Sequence, residues 1–222
     1  TKRGSAGWLG DDGLALPDAE KVQPVGSGTD DEPARPGFSG AAVEDLVGRA
    51  TSNTVVMDRF RGTARLSRAD AAAIGALGVV ARASGITIDA RVAHPFIDRG
   101  AGLAPVVEED GDVMARFLLR AREIAVSLRL VAELTGRVQS RDVRTAQPMR
   151  RRGSGLGIVE GWRGTIMHRV ELSPTGRLAR VAVVDPSFLT WPALSVALAD
   201  TIVPDFPLAN NSFNLSYAGN DL

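Results

Sequence analysis

Three short stretches contain residue types from which a chemical site can be built. The first, "GSGLG" from Gly153 to Gly157, has the glycines of a phosphate cradle. It lacks the strand before and the helix after that would give them that meaning, so it reads as a loop entering a strand. The second, "MRRRG", gathers Arg150, Arg151 and Arg152. Nucleic-acid binders spread positive charge over a face, and a single dense triplet reads as a solvated loop. The third, "NNSFNLSYAGNDL" from Asn210 to Leu222, is dense in amides and hydroxyls and has one acidic side chain among Phe213, Leu215 and Tyr217. A disordered tail carries more charge and less apolar surface, which makes this a buried or half-buried segment.

The counts narrow the chemistry further. The chain has no cysteine, which excludes disulfides, zinc ribbons, iron-sulfur ligation and thiolate nucleophiles within it. His94 and His168 are the only histidines, and neither a HExxH nor an EF-hand spacing accompanies them. No catalytic residue and no metal ligand is assigned. Twenty-six basic residues balance twenty-six acidic ones, so no net field attracts nucleic acid or anionic lipid. No apolar run approaches the roughly 18 to 20 residues of a membrane span.

These residues need elements to hold them. Residues 1–40, with "GDDG" and "PVGSGTDDEPARPG", lack apolar periodicity and read as a flexible arm or linker, leaving 41–222 as the folded domain. "AAVEDLVGRATSN" predicts a helix with Val43, Leu46 and Val47 on one face and Asn53 at its end. "LSRADAAAIGALG" predicts another, capped by Ser67 with Asp70 three residues on. The longest helix is predicted in "DGDVMARFLLRAREIAVSLRLVAELTG", between Asp112 and Gly136. Val113, Phe117, Ala121, Ile124, Leu128 and Val131 make its apolar stripe, and Met114, Leu118, Ala125 and Ala132 widen it enough for more than one neighbour. Arg116, Arg120, Arg122 and Arg129, with Glu123 and Glu133 among them, read as an exposed mixed-charge face. "TIMHRVEL", the turn "SPTG" and "RLARVAVV" predict a β-hairpin with one buried face. Asp185-Pro186 ends it, and a helix follows with Pro192 in its first turn and Leu194, Ala197 and Leu198 inward. The result is an α+β fold, mainly helical, with a small antiparallel sheet.

The order of motifs carries more than any one of them. "RFRGTARLS", "GVVARASGITIDARVAHPF", "GDVMARFLLRAREIAVSLRLV", "GIVEGWRGTIMHRVEL" and "VVDPSFLTWPALSVALAD" follow one another as in the C-terminal half of the [NiFe]-hydrogenase large-subunit family. The resemblance is to the formate hydrogenlyase branch and the 49 kDa protein of respiratory complex I. It covers residues 41–222 and implies a long-helix bundle with a small sheet. Hydrogenases of this family hold nickel and iron through an Asp-Pro-Cys-x-x-Cys motif; the matching stretch here is "SFNLSY", with Asn214 and Tyr217 in the cysteine positions. An amide and a protonated phenol do not replace thiolates on a soft metal. Arg163 and Glu160 match the arginine and glutamate of the family's Glu-Ala-Pro-Arg-Gly motif, with Gly161-Trp162 replacing Ala-Pro. The resemblance implies that Arg163 points into the old metal pocket, and the alternative is a conventional buried ion pair with Glu160. Arg82, in "RASG", matches a segment near the iron-sulfur partner, and His94 matches the family's Asp-His-Pro stretch, with Ala93 replacing the acid.

The resemblance therefore implies a vestigial pocket of Arg82, Glu160, Arg163, Asn214 and Tyr217. It implies a cysteine-less component of a membrane-associated oxidoreductase complex, of the NADH:quinone oxidoreductase or formate hydrogenlyase type, without its own [NiFe] centre. No cofactor is expected in the chain itself; iron-sulfur clusters are expected in a partner subunit, and quinone is a candidate ligand. An iron-sulfur small subunit and membrane subunits are the implied partners, which would hold the chain on the cytoplasmic side of the inner or plasma membrane. The alternative is a non-catalytic scaffold or interaction subunit. Hydrogenase activity of this chain is not expected.

Overall fold

The computed structural model describes residues 40–95, 103–135 and 152–220. The arm expected over residues 1–40 thus falls, apart from Gly40, outside the described residues, as do Arg150, Arg151 and Gly136. Helices are α1 (Gly40–Ser52), α2 (Thr54–Phe60), α3 (Arg68–Ile74), α4 (Gly78–Ala83), α5 (Ala90–Ala93), α6 (Val113–Thr135), α7 (Pro186–Ala197) and α8 (Phe206–Phe213). Strands are β1 (Gly153–Gly161), β2 (Gly164–Leu172) and β3 (Leu178–Val184). They form a single sheet in the order β1-β2-β3. Short links between neighbours make it antiparallel. The expected mainly helical α+β fold is what forms.

Local chemistry explains most of the boundaries. Ser67 caps α3 by accepting from the Asp70 N–H, and Gly75, in the left-handed region, ends it. Asn53 corrects one expectation: it caps the start of α2, accepting from the Val55 and Val56 N–H groups. An Asn side chain satisfies the orphan donors of a following helix better than the carbonyls of the preceding one. Asp112 accepts from Ala115 N at 2.7 Å and so caps α6. Asp185 caps α7, and the first-turn proline is Pro186; Pro192 lies inside the helix. Asp185 is thus the true boundary, because its carboxylate reaches Ser187 N at 2.7 Å.

The described residues pack as two units. One holds 152–157 and 169–182, whose turn closes through Ser173 and Arg177 at 2.8 Å. The glycines of "GSGLG" belong to β1 itself rather than to a loop. The expected buried face is absent from β3, which is exposed from Leu178 to Ala182. A strand buries a face only where a second layer lies on it, and the described residues of this unit supply none.

The other unit contains the helices and the strand residues 158–168 and 183–184. Its core joins Leu66, Val80, Val113, Leu194, Phe213 and Leu215. A smaller cluster of Val79, Ala83, Ala115 and Leu119 fastens α4 to α6. Two glycines permit a close backbone approach between α4 and the turn joining β1 to β2. A Cβ on Gly78 would lie 2.2 Å from the Arg163 carbonyl oxygen, and one on Gly164 would lie 2.8 Å from Gly78 N.

Candidate functional site

The approach of α4 to that turn brings Arg82 to Glu160. Arg82, 2% exposed, donates through Nε to Glu123 at 2.7 Å and through Nη1 to Glu160 at 2.8 Å. Nη1 also reaches the Ile88 carbonyl at 3.0 Å. The other Glu160 oxygen accepts from Ala90 N and from Thr165 Oγ1, both at 3.0 Å. Buried carboxylates persist only when paired and hydrogen-bonded, and this one is fully occupied. Beside it Asp89 caps α5 and takes the Arg91 guanidinium at 2.7 Å. Burial alone would push the Asp89 carboxyl up; the hydrogen bonds and charge of Arg91, with the charge of Arg82, outweigh it and hold the group below its ordinary value. The same contact raises Arg91.

The Glu160–Arg163 pair does not form. A two-residue link of Trp162 and Arg163 joins β1 to β2, which places Glu160 across from Thr165 and leaves Arg163 in the turn itself. Arg163 instead donates through Nε to the Asn214 carbonyl, and through Nη2 to Asn214 Oδ1 at 3.4 Å. Asn214 is the C-cap of α8, in the left-handed region at φ 53°. Asn is among the few non-glycine residues that tolerate that conformation.

The mixed-charge face of α6 is corrected in part: Arg122, Arg129 and Glu133 are exposed as expected, whereas Arg116 is buried and Arg120 and Glu123 are half-buried. Arg116 is 0% exposed and donates to Ser212 Oγ, the Gly111 carbonyl and the Ala64 carbonyl at 2.9, 2.7 and 2.9 Å. Its guanidinium lies 4.3 Å above the centre of the Phe213 ring. Arg120 reaches the Phe213 carbonyl at 3.4 Å. Arg116, Arg120 and Arg163 therefore hold the Ser212–Asn214 end of α8, where carbonyls lack helical partners and the dipole favours cations. Burial, reinforced by Arg120, lowers Arg116 to about 9 against the opposing pull of Asp112. Burial also lowers Arg120 to about 10, with Arg163 adding to the effect and Glu123 opposing it. Sequence reasoning missed Arg116, Arg120 and Glu123 because charged residues in a helix ordinarily face water. Their spacing of four and three residues around Leu119 was the available signal.

Tyr217 stands apart from the others. It is 69% exposed, its ring centre is 5.0 Å from that of Trp191, and its hydroxyl accepts from Asn210 Nδ2 at 3.0 Å. Asn214 and Tyr217 thus do not form a common pocket lining. His94 is the exposed C-cap of α5. Among the described residues no three His, Cys, Asp or Glu gather as a metal site. Asn214 offers oxygens already engaged by Arg163, and Tyr217 offers a neutral hydroxyl already engaged by Asn210. This donor set does not fit a nickel–iron centre, which needs soft anionic sulfur.

The profile of the family described as "Respiratory-chain NADH dehydrogenase, 49 Kd subunit" matches residues 39–152, just over half of the chain. The chain belongs to that family. Arg82, Arg116, Arg120 and Glu123 lie within the matched 49 kDa stretch, and Glu160 and Arg163 follow it. Similar curated proteins extend the match. A carbon monoxide-induced hydrogenase from Rhodospirillum rubrum is 28% identical over 77% of this chain and 48% of its own length. Formate hydrogenlyase subunit 5 from Escherichia coli is 29% identical over 81% of this chain and 32% of its own length. The C/D polypeptide of an NADH-quinone oxidoreductase from Phocaeicola vulgatus is 33% identical over 51% of this chain and 23% of its own length. The chain therefore spans half or less of each of these three relatives. Among the described residues, no helix is long and apolar enough to cross a membrane.

Proposed function

We propose that this chain supplies part of the large subunit of a membrane-associated oxidoreductase complex, of the NADH:quinone oxidoreductase or hydrogenase type, and holds no nickel–iron centre of its own. What supports the reading is the set of contacts around the two residues read in the family's ligand positions: Asn214 caps α8 under Arg163, and Tyr217 lies on Trp191. Membership of the 49 kDa family and the likeness to hydrogenase and formate hydrogenlyase proteins support the class of complex. Electrons would pass through iron-sulfur clusters of a partner subunit, and the chain would lie at the cytoplasmic face through membrane partners. The buried Arg82–Glu160–Glu123 network would position the turn bearing Arg163 rather than touch a reacting atom.

Purification from native membranes tests this. An iron-sulfur protein and an integral membrane protein are expected to copurify in stoichiometric amount, and elemental analysis of the isolated chain from nickel- and iron-supplemented cells is expected to find neither metal. A chain that elutes alone would favour a scaffold, and stoichiometric nickel on the chain would overturn the reading.

A further inference from the structure

The C-terminal end of α8 gathers more positive charge than the side chains around it balance. Arg82, Arg116, Arg120 and Arg163 lie with Asp112, Glu123 and Glu160, so four cations meet three carboxylates. The flanking pairs leave that count unchanged, because Asp89 holds Arg91 and Glu108 holds Arg122. The three carboxylates are also spent elsewhere. Glu123 and Glu160 bond to Arg82, and Asp112 accepts from Gly62 N and Ala115 N. Among the described residues, Arg116, Arg120 and Arg163 therefore bond only to neutral oxygens. A buried charge ordinarily keeps a partner of opposite sign.

Arg116 is closed in by its three acceptors and by the Phe213 ring. The other two are not. Arg120 and Arg163 reach the neighbouring carbonyls of Phe213 and Asn214, which sets their guanidiniums side by side. Burial is the main cause of the lowered Arg120 value, and the repulsion from Arg163 adds to it. The bonds of Arg120 are long, at 3.3 and 3.4 Å, and among the described residues neither its Nε nor Nη1 of Arg163 has an acceptor. Both side chains are half-buried, so a small solute can reach them. A planar guanidinium fork matches a carboxylate, and one negative charge closes the balance of the cluster. We infer that Arg120 and Arg163 together bind the carboxylate of a small monoanionic ligand, seated against the Phe213–Asn214 end of α8. This rests on the charge and geometry of the cluster and goes beyond the proposed function.

Nitrogen-15 spectra of the arginine Nε–H groups in the full chain test it, with sodium acetate as the probe and sodium chloride at equal ionic strength as the reference. The Arg120 and Arg163 signals are expected to shift saturably with acetate, while that of Arg116 stays in place. Arg163→Gln, which loses only partly exposed bonds, should abolish the Arg120 shift. Arg163→Lys, which keeps the charge but not the fork, should weaken binding roughly tenfold. Acetate should also raise the melting midpoint of the parent above its value in chloride, and should not do so for Arg163→Gln. Signals that follow chloride as closely as acetate, an undiminished shift in Arg163→Gln, or tighter binding of the dianion sulfate would each overturn the inference. In a complex isolated from native membranes, acetate is expected to slow the labelling of Arg163 by phenylglyoxal; labelling already blocked without acetate would assign the carboxylate to a partner's acidic side chain and overturn the free-ligand reading. The spectra and melting depend on neither copurifying subunits nor metal content, so this proposal and the proposed function fail separately.

Discussion

Two carboxylates converge on Arg82, and removing that cation takes the charge partner from both, leaving Glu160 with only its neutral hydrogen bonds from Ala90 N and Thr165 Oγ1. Arg82→Leu is expected to cost roughly 3 to 5 kcal/mol in urea denaturation. Glu160→Gln should fall in the same range, and the double substitution should cost less than the sum. Arg163→Leu, which removes partly exposed bonds to Asn214, should cost only about 1 kcal/mol. Additive losses at Arg82 and Glu160 would show that the pair contributes no coupling. Asp89 gives a pH signature. Its folded-state carboxyl lies below the ordinary value of 3.8, so the stability it adds is fully present above that value and is lost as pH falls through the folded one. The stability difference between the native protein and Asp89→Asn should therefore be constant from pH 7 to about 5 and shrink below about 4. A difference that grows on acidification would contradict the assignment.

At the scale of elements, the position of α4 against the β1–β2 turn depends on two residues without side chains. Gly78 has φ 60° and no room for a Cβ beside the Arg163 carbonyl. Gly78→Ala combines a left-handed penalty of about 1 to 2 kcal/mol with an overpacking cost of about 1 to 3 kcal/mol. Thermal melting should drop accordingly, and Arg82 should lose its register with Glu160. Gly153→Ala, at a position with open space in β1, is the control and should melt close to the parent. Equal melting of the two variants would mean that the close approach does not hold the turn.

For the molecule as a whole, the C-terminal segment is structural. Phe213 and Leu215 are buried in the main core. Ser216 N donates to Ser187 Oγ at 3.0 Å, and Trp191 Nε1 donates to the Ser216 carbonyl at 3.2 Å. Deleting residues 210–222 removes two buried apolar side chains, each worth roughly 1.5 to 3 kcal/mol, and strips Arg116 of its ring and of Ser212. That sum is comparable to the roughly 5 to 15 kcal/mol by which a domain is stable. The truncated chain is expected to lose cooperative melting; a sharp transition near that of the parent would make the segment a surface appendage.

What the sequence determined by itself was local. Ser67 and Asp112 each mark a helix start because capping is a contact between near neighbours in the chain. The 3.6-residue pattern located α6, and the burial of Phe213 and Leu215 followed from their apolar character. The order of motifs led to the family. Tertiary structure decided the rest. The apolar stripe of α6 was legible, yet the sequence could not say that the face bearing Arg116 and Glu123 would turn inward. Which carboxylate Arg82 meets depends on residues 41 and 78 positions away, and a two-residue turn sends Arg163 to Asn214 rather than to Glu160. Charged side chains are long and their partners distant in sequence, so periodicity records that a cation is present but not which carbonyl or carboxylate will hold it.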